Sequence, residues 1–90
     1  MRVDTDRLIL KESGKFGMDM DMIHRIATFL RSNPDLDVDE PILVKPTGAV
    51  FGGRQVYRIM EGRHRYFAYV IANRKSVPAE LDTGLNGAVG

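Results

Sequence analysis

Ninety residues, 43% of them apolar and 28% charged, suit one domain with a single thin core and exclude a largely disordered chain. The absence of cysteine excludes disulfides, thiolate metal sites and a cysteine nucleophile. A formal net charge of +1 gives no global attraction to nucleic acid.

No apolar run approaches the ~20 residues of a membrane span, and the opening Met1-Arg2-Val3-Asp4 does not read as a signal peptide, so a cytoplasmic protein is expected. The charge is unevenly spread. From Phe51 to Lys75 the chain carries Arg54, Arg58, Arg63, Arg65, Arg74 and Lys75 against the single acid Glu61, while Asp35, Asp37, Asp39 and Glu40 form an acidic loop.

In chain order, Arg7-Leu8-Ile9-Leu10 is a short strand candidate, followed by a loop with Gly14 and Gly17. Ile23, Ile26, Ala27 and Leu30 recur at helical spacing behind Asp19 or Asp21, either of which can cap the helix. That helix is expected to stop near Ser32-Asn33-Pro34, because proline cannot continue the hydrogen-bond ladder. Ile42-Leu43-Val44 reads as a short strand closed by Pro46-Thr47-Gly48, and Gln55 to Met60 as its hairpin partner across a loop ending in Gly52-Gly53. Gly62 punctuates the second strand. A second helix is expected from about His64 to Ala72, with Phe67, Ala68 and Ile71 toward the core and Asn73 as a left-handed C-cap. Val77 to Leu81 is a last strand, at an edge or with Pro78 at its beginning. These elements give an α+β fold with a short mixed sheet and two main helices, a domain over residues 1–82 and a flexible tail over 83–90.

The segment from Ile59 to Arg65 passes from a strand through Gly62 into a helix. A helix start presents unpaired N–H groups and a partial positive charge, and glycine admits a ligand close to the backbone. Arg63 and Arg65 add guanidinium forks that match phosphate oxygens, and His64 adds a donor if its ring is suitably turned. Cations in the first turn of a helix are locally unfavourable unless an anion joins them. Gly62, Arg63, His64 and Arg65 are therefore the candidate phosphate-binding residues, against the alternative of a solvated basic turn.

Other patterns carry less. Asp35 to Asp39 resembles the start of a calcium loop, but Glu40 stands where the turn glycine is needed and Pro46 where the bidentate glutamate belongs. Met18, Met20 and Met22 read as core filling at a helix entry, and His24 as a surface residue. Tyr57, Tyr66, Phe67 and Tyr69 could stack bases but fit a small core or its rim.

Glu61-Gly62-Arg63-His64-Arg65-Tyr66-Phe67-Ala68-Tyr69, with Asn73 to Leu81 behind it, resembles the ParB/sulfiredoxin superfamily. Upstream, Phe29 to Asp35, Pro41 to Val44, Gly52-Gly53 and Tyr57 look like the matching helix, strand and hairpin of sulfiredoxin, so the resemblance runs from about Ile23 to Leu81. It implies that His64 and Arg65 contact nucleotide phosphates at the helix start. The nucleophilic cysteine of sulfiredoxin falls at Arg63, so sulfinic acid reductase activity is not expected. The family's polar contacts on the first helix fall at Met22, Arg25 and Phe29, which depart from its pattern. Against the CTP-binding turn of ParB proteins, Gly62 and Arg65 match, while Arg63 and His64 replace a glutamate and an arginine. Neither the later asparagine-rich nucleotide motif of ParB nor a helix-turn-helix is expected in these residues.

The resemblance thus implies a phosphate-binding module that grips a nucleotide or a nucleic-acid backbone, with a nucleoside triphosphate and Mg as the implied ligand. Two alternatives stand beside it. One is a metal-assisted ParB-like nuclease, with Glu61, Glu80 and Asp82 as candidate carboxylates; the other is a degenerate domain that binds a protein partner.

Overall fold

A computed structural model describes residues 1–10 and 18–82. The expected glycine loop at Gly14 and Gly17 and the expected tail over 83–90 lie outside these residues.

The elements run β1 (Arg2–Asp4), a 3-10 turn (Thr5–Arg7), β2 (Leu8–Leu10), α1 (Met20–Ser32), β3 (Ile42–Phe51), β4 (Arg54–Glu61), α2 (Arg63–Ile71) and β5 (Ser76–Leu81). The strands form one mixed five-stranded sheet in the order β1-β5-β3-β4-β2. β1 lies antiparallel to β5 and β4 antiparallel to β3, whereas β2 with β4 and β3 with β5 are parallel. Among the described residues no helix is long and apolar enough to cross a membrane.

The α1 helix starts where its sequence asks it to. Of the two candidate caps, Asp19 is the one used: its Oδ1 accepts from the Met22 N–H, which satisfies one of the open donors of the first turn. Asn33 closes the helix, its side-chain amide donating to the Phe29 carbonyl. Ile23, Ala27 and Leu30 are buried, and α2 adds Ala68 and Tyr69. These meet Ile42, Val44, Ile59, Val77 and Ala79, the inward side chains of alternate sheet positions, so the helices cover one face of the sheet. Burying an apolar side chain of this size contributes roughly 1.5–3 kcal/mol, which makes this single layer the main source of stability.

Several expectations are corrected. β1 was not anticipated: three residues, Arg2-Val3-Asp4, carry too little alternation to signal a strand, and they are ordered by pairing with β5. β5 is therefore flanked on both sides rather than at an edge. Pro78 is tolerated because Met1 and Ala79 exchange both backbone bonds, which leaves Arg2 opposite Pro78 as a non-hydrogen-bonded pair, and the ladder with β3 begins only at Ala79. β3 does not stop at Pro46 but continues to Phe51. Its pairing with β5 ends at Val44, so beyond that point it is an edge strand in which a proline removes no rung. A register shift between Pro46 and Val50 takes up the extra residues, held by Thr47 Oγ1 between the Val56 carbonyl and the Ala49 N–H. Gly52 and Gly53, both at positive φ, form the two-residue hairpin turn. Met20 and Met22 are exposed rather than core filling, and only Met18 packs against the core.

Candidate functional site

The backbone of Gly62 stands at φ 102°, a left-handed conformation that side chains with a Cβ rarely adopt. A Cβ here would lie 2.7 Å from Ile42 Cγ2 and 3.2 Å from Arg65 Nη2. The glycine thus lets β4 turn sharply onto buried Ile42 and lets the Arg65 guanidinium fold back over the turn. The Gly62 carbonyl accepts from the Tyr66 N–H at 2.9 Å, which starts α2 one residue before the expected His64.

α1 and α2 run side by side in the same direction. At one end the Asp19 N–H donates to His64 Nε2 at 3.0 Å; at the other Arg31 donates to the Ile71 carbonyl at 3.0 Å. Both helix N-termini therefore meet at His64, and their dipoles place partial positive charge at one spot. With His64 Nε2 accepting from the Asp19 N–H, Nδ1 is the ring nitrogen left to meet a ligand.

Arg65 is held in place. Its Nη1 donates to Glu40 Oε2 at 3.0 Å and to the Pro41 carbonyl at 3.2 Å, and its side chain is only 19% exposed, whereas that of Glu40 is 82% exposed. An anion already lies beside the arginine, then, but it is a carboxylate at the surface. Arg63 opens the helix half-buried. Sequence reading missed both Glu40 and Asp19 as neighbours of this turn. They lie 25 and 45 residues from their partners, and no local pattern connects them.

A groove beside α1 is lined by Arg25, Ile26, Phe29, Val38 and Asp39. Asp39 leads directly to Glu40, so the same loop passes from this groove to Arg65. Arg25 and Phe29 are two of the three first-helix positions that depart from the nucleotide-binding pattern. His24 lines a separate shallow depression with Asp21, Arg25 and Thr28. Of the aromatic candidates, Tyr69 is fully buried, while Tyr57, Tyr66 and Phe67 pack at the core margin.

Asp37, in the acidic loop, has a structural role that its sequence did not reveal. Arg2, Arg74 and the Tyr69 hydroxyl all donate to it. The Arg2 hydrogen bond in particular holds its carboxyl below the usual carboxylate range. Burial raises the Tyr69 phenol above its ordinary value.

The candidate carboxylates do not converge. Glu61 and Glu80 pair with Leu43 from the strands on either side of β3, about 9–10 Å apart across two strand spacings. Among the described residues no group of three His, Asp or Glu side chains could hold a metal ion.

No family model matches the chain, and no curated protein matches it in sequence. Solved structures do. The C-terminally truncated chromosome-partitioning protein ParB from Caulobacter crescentus aligns over 90% of this chain in its complex with CTP-γ-S, with a TM-score of 0.70 and 22% identity. In its complex with the centromeric parS site the same protein aligns over 99%, with a TM-score of 0.73 and 22% identity. Sulfiredoxin from Arabidopsis thaliana aligns over 90% of this chain and 83% of its own, with a TM-score of 0.63 and 19% identity. The chain spans only 42% and 43% of the two ParB chains. What these likenesses establish is the architecture: the chain has the ParB/sulfiredoxin-like fold.

Proposed function

We propose that this domain binds phosphate at the first turn of α2, gripping a nucleotide or a nucleic-acid backbone through Gly62, Arg63, His64 and Arg65. The observation that carries the reading is the convergence of two helix N-termini on His64, with Arg65 folded back over Gly62 beside them. Two positive dipole ends and the open N–H groups of the first turn of α2 gather there, and the Arg65 guanidinium over Gly62 adds donors beside them, an arrangement that suits an anion. The ParB structure that holds CTP-γ-S shares this fold, which supports a nucleoside triphosphate as the ligand class; Mg as its counter-ion is part of the proposal alone. The groove along Arg25, Ile26 and Phe29 offers an apolar wall for the rest of such a ligand.

Thermal unfolding with pyrophosphate, ATP, CTP and single-stranded DNA tests this, since a ligand of the native state raises the melting temperature by mass action. Stabilisation by at least one phosphate compound is expected. Arg65→Ala should then weaken binding about tenfold more than Arg63→Ala, because Arg65 is fixed in place by two hydrogen bonds and a fixed charged hydrogen bond contributes roughly 1.5–3 kcal/mol. Equal losses that vanish at high salt would indicate a diffuse basic surface. No response to any phosphate compound would overturn the reading in favour of a domain that binds a protein partner. Mg-dependent cleavage of labelled DNA would instead favour a phosphodiesterase.

A further inference from the structure

We infer that the outer face of the β3–β4 hairpin is a second, separate binding surface, which takes single-stranded nucleic acid by stacking a base on Phe51 and holding the backbone on Arg54, Arg58 and Lys45. It lies at the Gly52-Gly53 end of β4, opposite the end that leads into Gly62, and does not rest on the phosphate turn.

Phe51 is 66% exposed at the tip of the hairpin. One face of its ring is backed by the Arg7 guanidinium, 4.7 Å from the ring centroid, and its exposure leaves the second face to solvent. Arg7 is itself fixed. Its side chain is 15% exposed, with Nη1 bound to the Asp6 carboxylate at 3.0 Å and to the Asp6 carbonyl at 3.3 Å. Gly52, at φ +60°, admits it: a Cβ there would stand 2.8 Å from Arg7 Nη2. The ring is thus a preorganised platform, and a guanidinium behind a stacking ring favours the face of an incoming base.

The charges continue from this platform in register. Arg54 lies directly opposite Phe51, and Lys45 directly opposite Arg58, so each pair shares a face of the hairpin. Arg54, Val56 and Arg58 alternate along β4 on that face, which spaces the first and last by about 13 Å. Arg54 is paired with Asp4, but among the described residues neither Lys45 nor Arg58 makes an ion pair. Residues 45–60 contain no acid. Two cations directly opposite each other on a sheet are destabilising, and an anion between them removes the repulsion. An exposed ring followed by cations along one strand, of which Lys45 and Arg58 make no ion pair among the described residues, matches a strand whose bases are free to stack. A duplex hides its bases, and a lone phosphate would not use the ring.

Fluorescence anisotropy of a labelled thymidine 15-mer at 50 and 200 mM salt tests this. The intact protein should bind, and Phe51→Ala should weaken binding about tenfold. Phe51→Trp should retain it, and Val50→Ala, an exposed apolar residue opposite Gln55, should leave it unchanged. Arg58→Ala should lower affinity and flatten the salt dependence by about one counter-ion. Melting curves of each variant separate lost contacts from lost folding, and Phe51→Leu, which keeps the apolar bulk, must also lose binding if stacking is the cause. Binding that persists in Phe51→Ala and in Arg58→Ala, equal competition by duplex DNA, or no binding by the intact protein would each overturn the proposal. Excess pyrophosphate at matched ionic strength serves as the discriminator: it should fill the α2 turn and leave oligonucleotide binding on the hairpin intact, whereas displacement of the oligonucleotide would place it at α2 and overturn the proposal.

Discussion

The two ends of the α1–α2 pair place the same kind of residue in opposite circumstances. At the C-terminal end Arg74 donates to the Leu30, Asn33 and Leu36 carbonyls at 3.0, 3.0 and 2.8 Å and pairs with Asp37 at 3.4 Å. At the N-terminal end Arg65 meets one carbonyl and one surface carboxylate. The difference follows from helix direction. Helix C-termini are short of donors, so an arginine there is consumed by the fold itself. Helix N-termini are short of acceptors, so an arginine there adds to an unmet demand for an anion. Of two basic residues drawn from one basic half of the sequence, one is a structural rivet and the other, in the proposed phosphate turn, is held by one carbonyl and one exposed carboxylate.

The largest effect should come from the turn that makes the N-terminal end possible. Gly62→Val adds a Cβ against Ile42 at a positive φ, and strain plus overpacking should cost about 4 kcal/mol, or roughly 20 °C of melting temperature for a domain of this size. A variant that keeps both its melting temperature and its phosphate response would show that the left-handed turn is incidental.

At the other end, Arg74→Ala should cost about 3 kcal/mol, because it strips charged hydrogen bonds from three carbonyls. Chemical denaturation measures it, and phosphate affinity corrected for the folded fraction should not change. A specific loss of affinity would break the division between the two ends.

Asp37 gives that end a pH signature. Its carboxyl lies below the usual range when folded, so its contribution to stability is complete above the unfolded value of about 3.9 and is lost as pH falls through the folded value. Asp37→Asn should cost about 2 kcal/mol at neutral pH. Below about pH 4 its melting temperature should fall less steeply than that of the parent protein. Parallel curves would mean that Asp37 does not carry this acid sensitivity.

The smallest effect should be at Glu40. Glu40→Gln removes the exposed partner of Arg65 and should change stability by less than about 1 kcal/mol, since exposed ion pairs contribute little. If the carboxylate competes with phosphate for the guanidinium, affinity for pyrophosphate should rise about threefold in calorimetric titration. Unchanged affinity would mean that Arg65 binds both anions at once or that phosphate sits elsewhere.

Much of the architecture was legible along the chain. The Ile23, Ala27 and Leu30 spacing, the Asp19 cap, the glycine hinge at Gly62 and the left-handed Asn73, found at φ 60°, are local signals written within one turn of the backbone. The same holds for the alternation along β4, because a period of two needs no distant partner to be recognised; the expected loop ending in Gly52-Gly53 shrinks to those two residues because β3 runs on to Phe51.

Tertiary structure decided the rest. β1 exists only because β5 pairs with it, and β3 runs through Pro46 only because no strand flanks it beyond Val44. Asp37 looked like one more acid in a loop until Arg2, Arg74 and Tyr69 converged on it across 32 to 37 residues of chain. The candidate site shows the same division. Gly62, Arg63, His64 and Arg65 could be singled out from sequence because a strand, a glycine and a helix start are consecutive. That Asp19 meets His64, and that Glu40 occupies Arg65, follows from the parallel packing of α1 against α2, a long-range arrangement chosen by burial of apolar faces rather than by any local pattern.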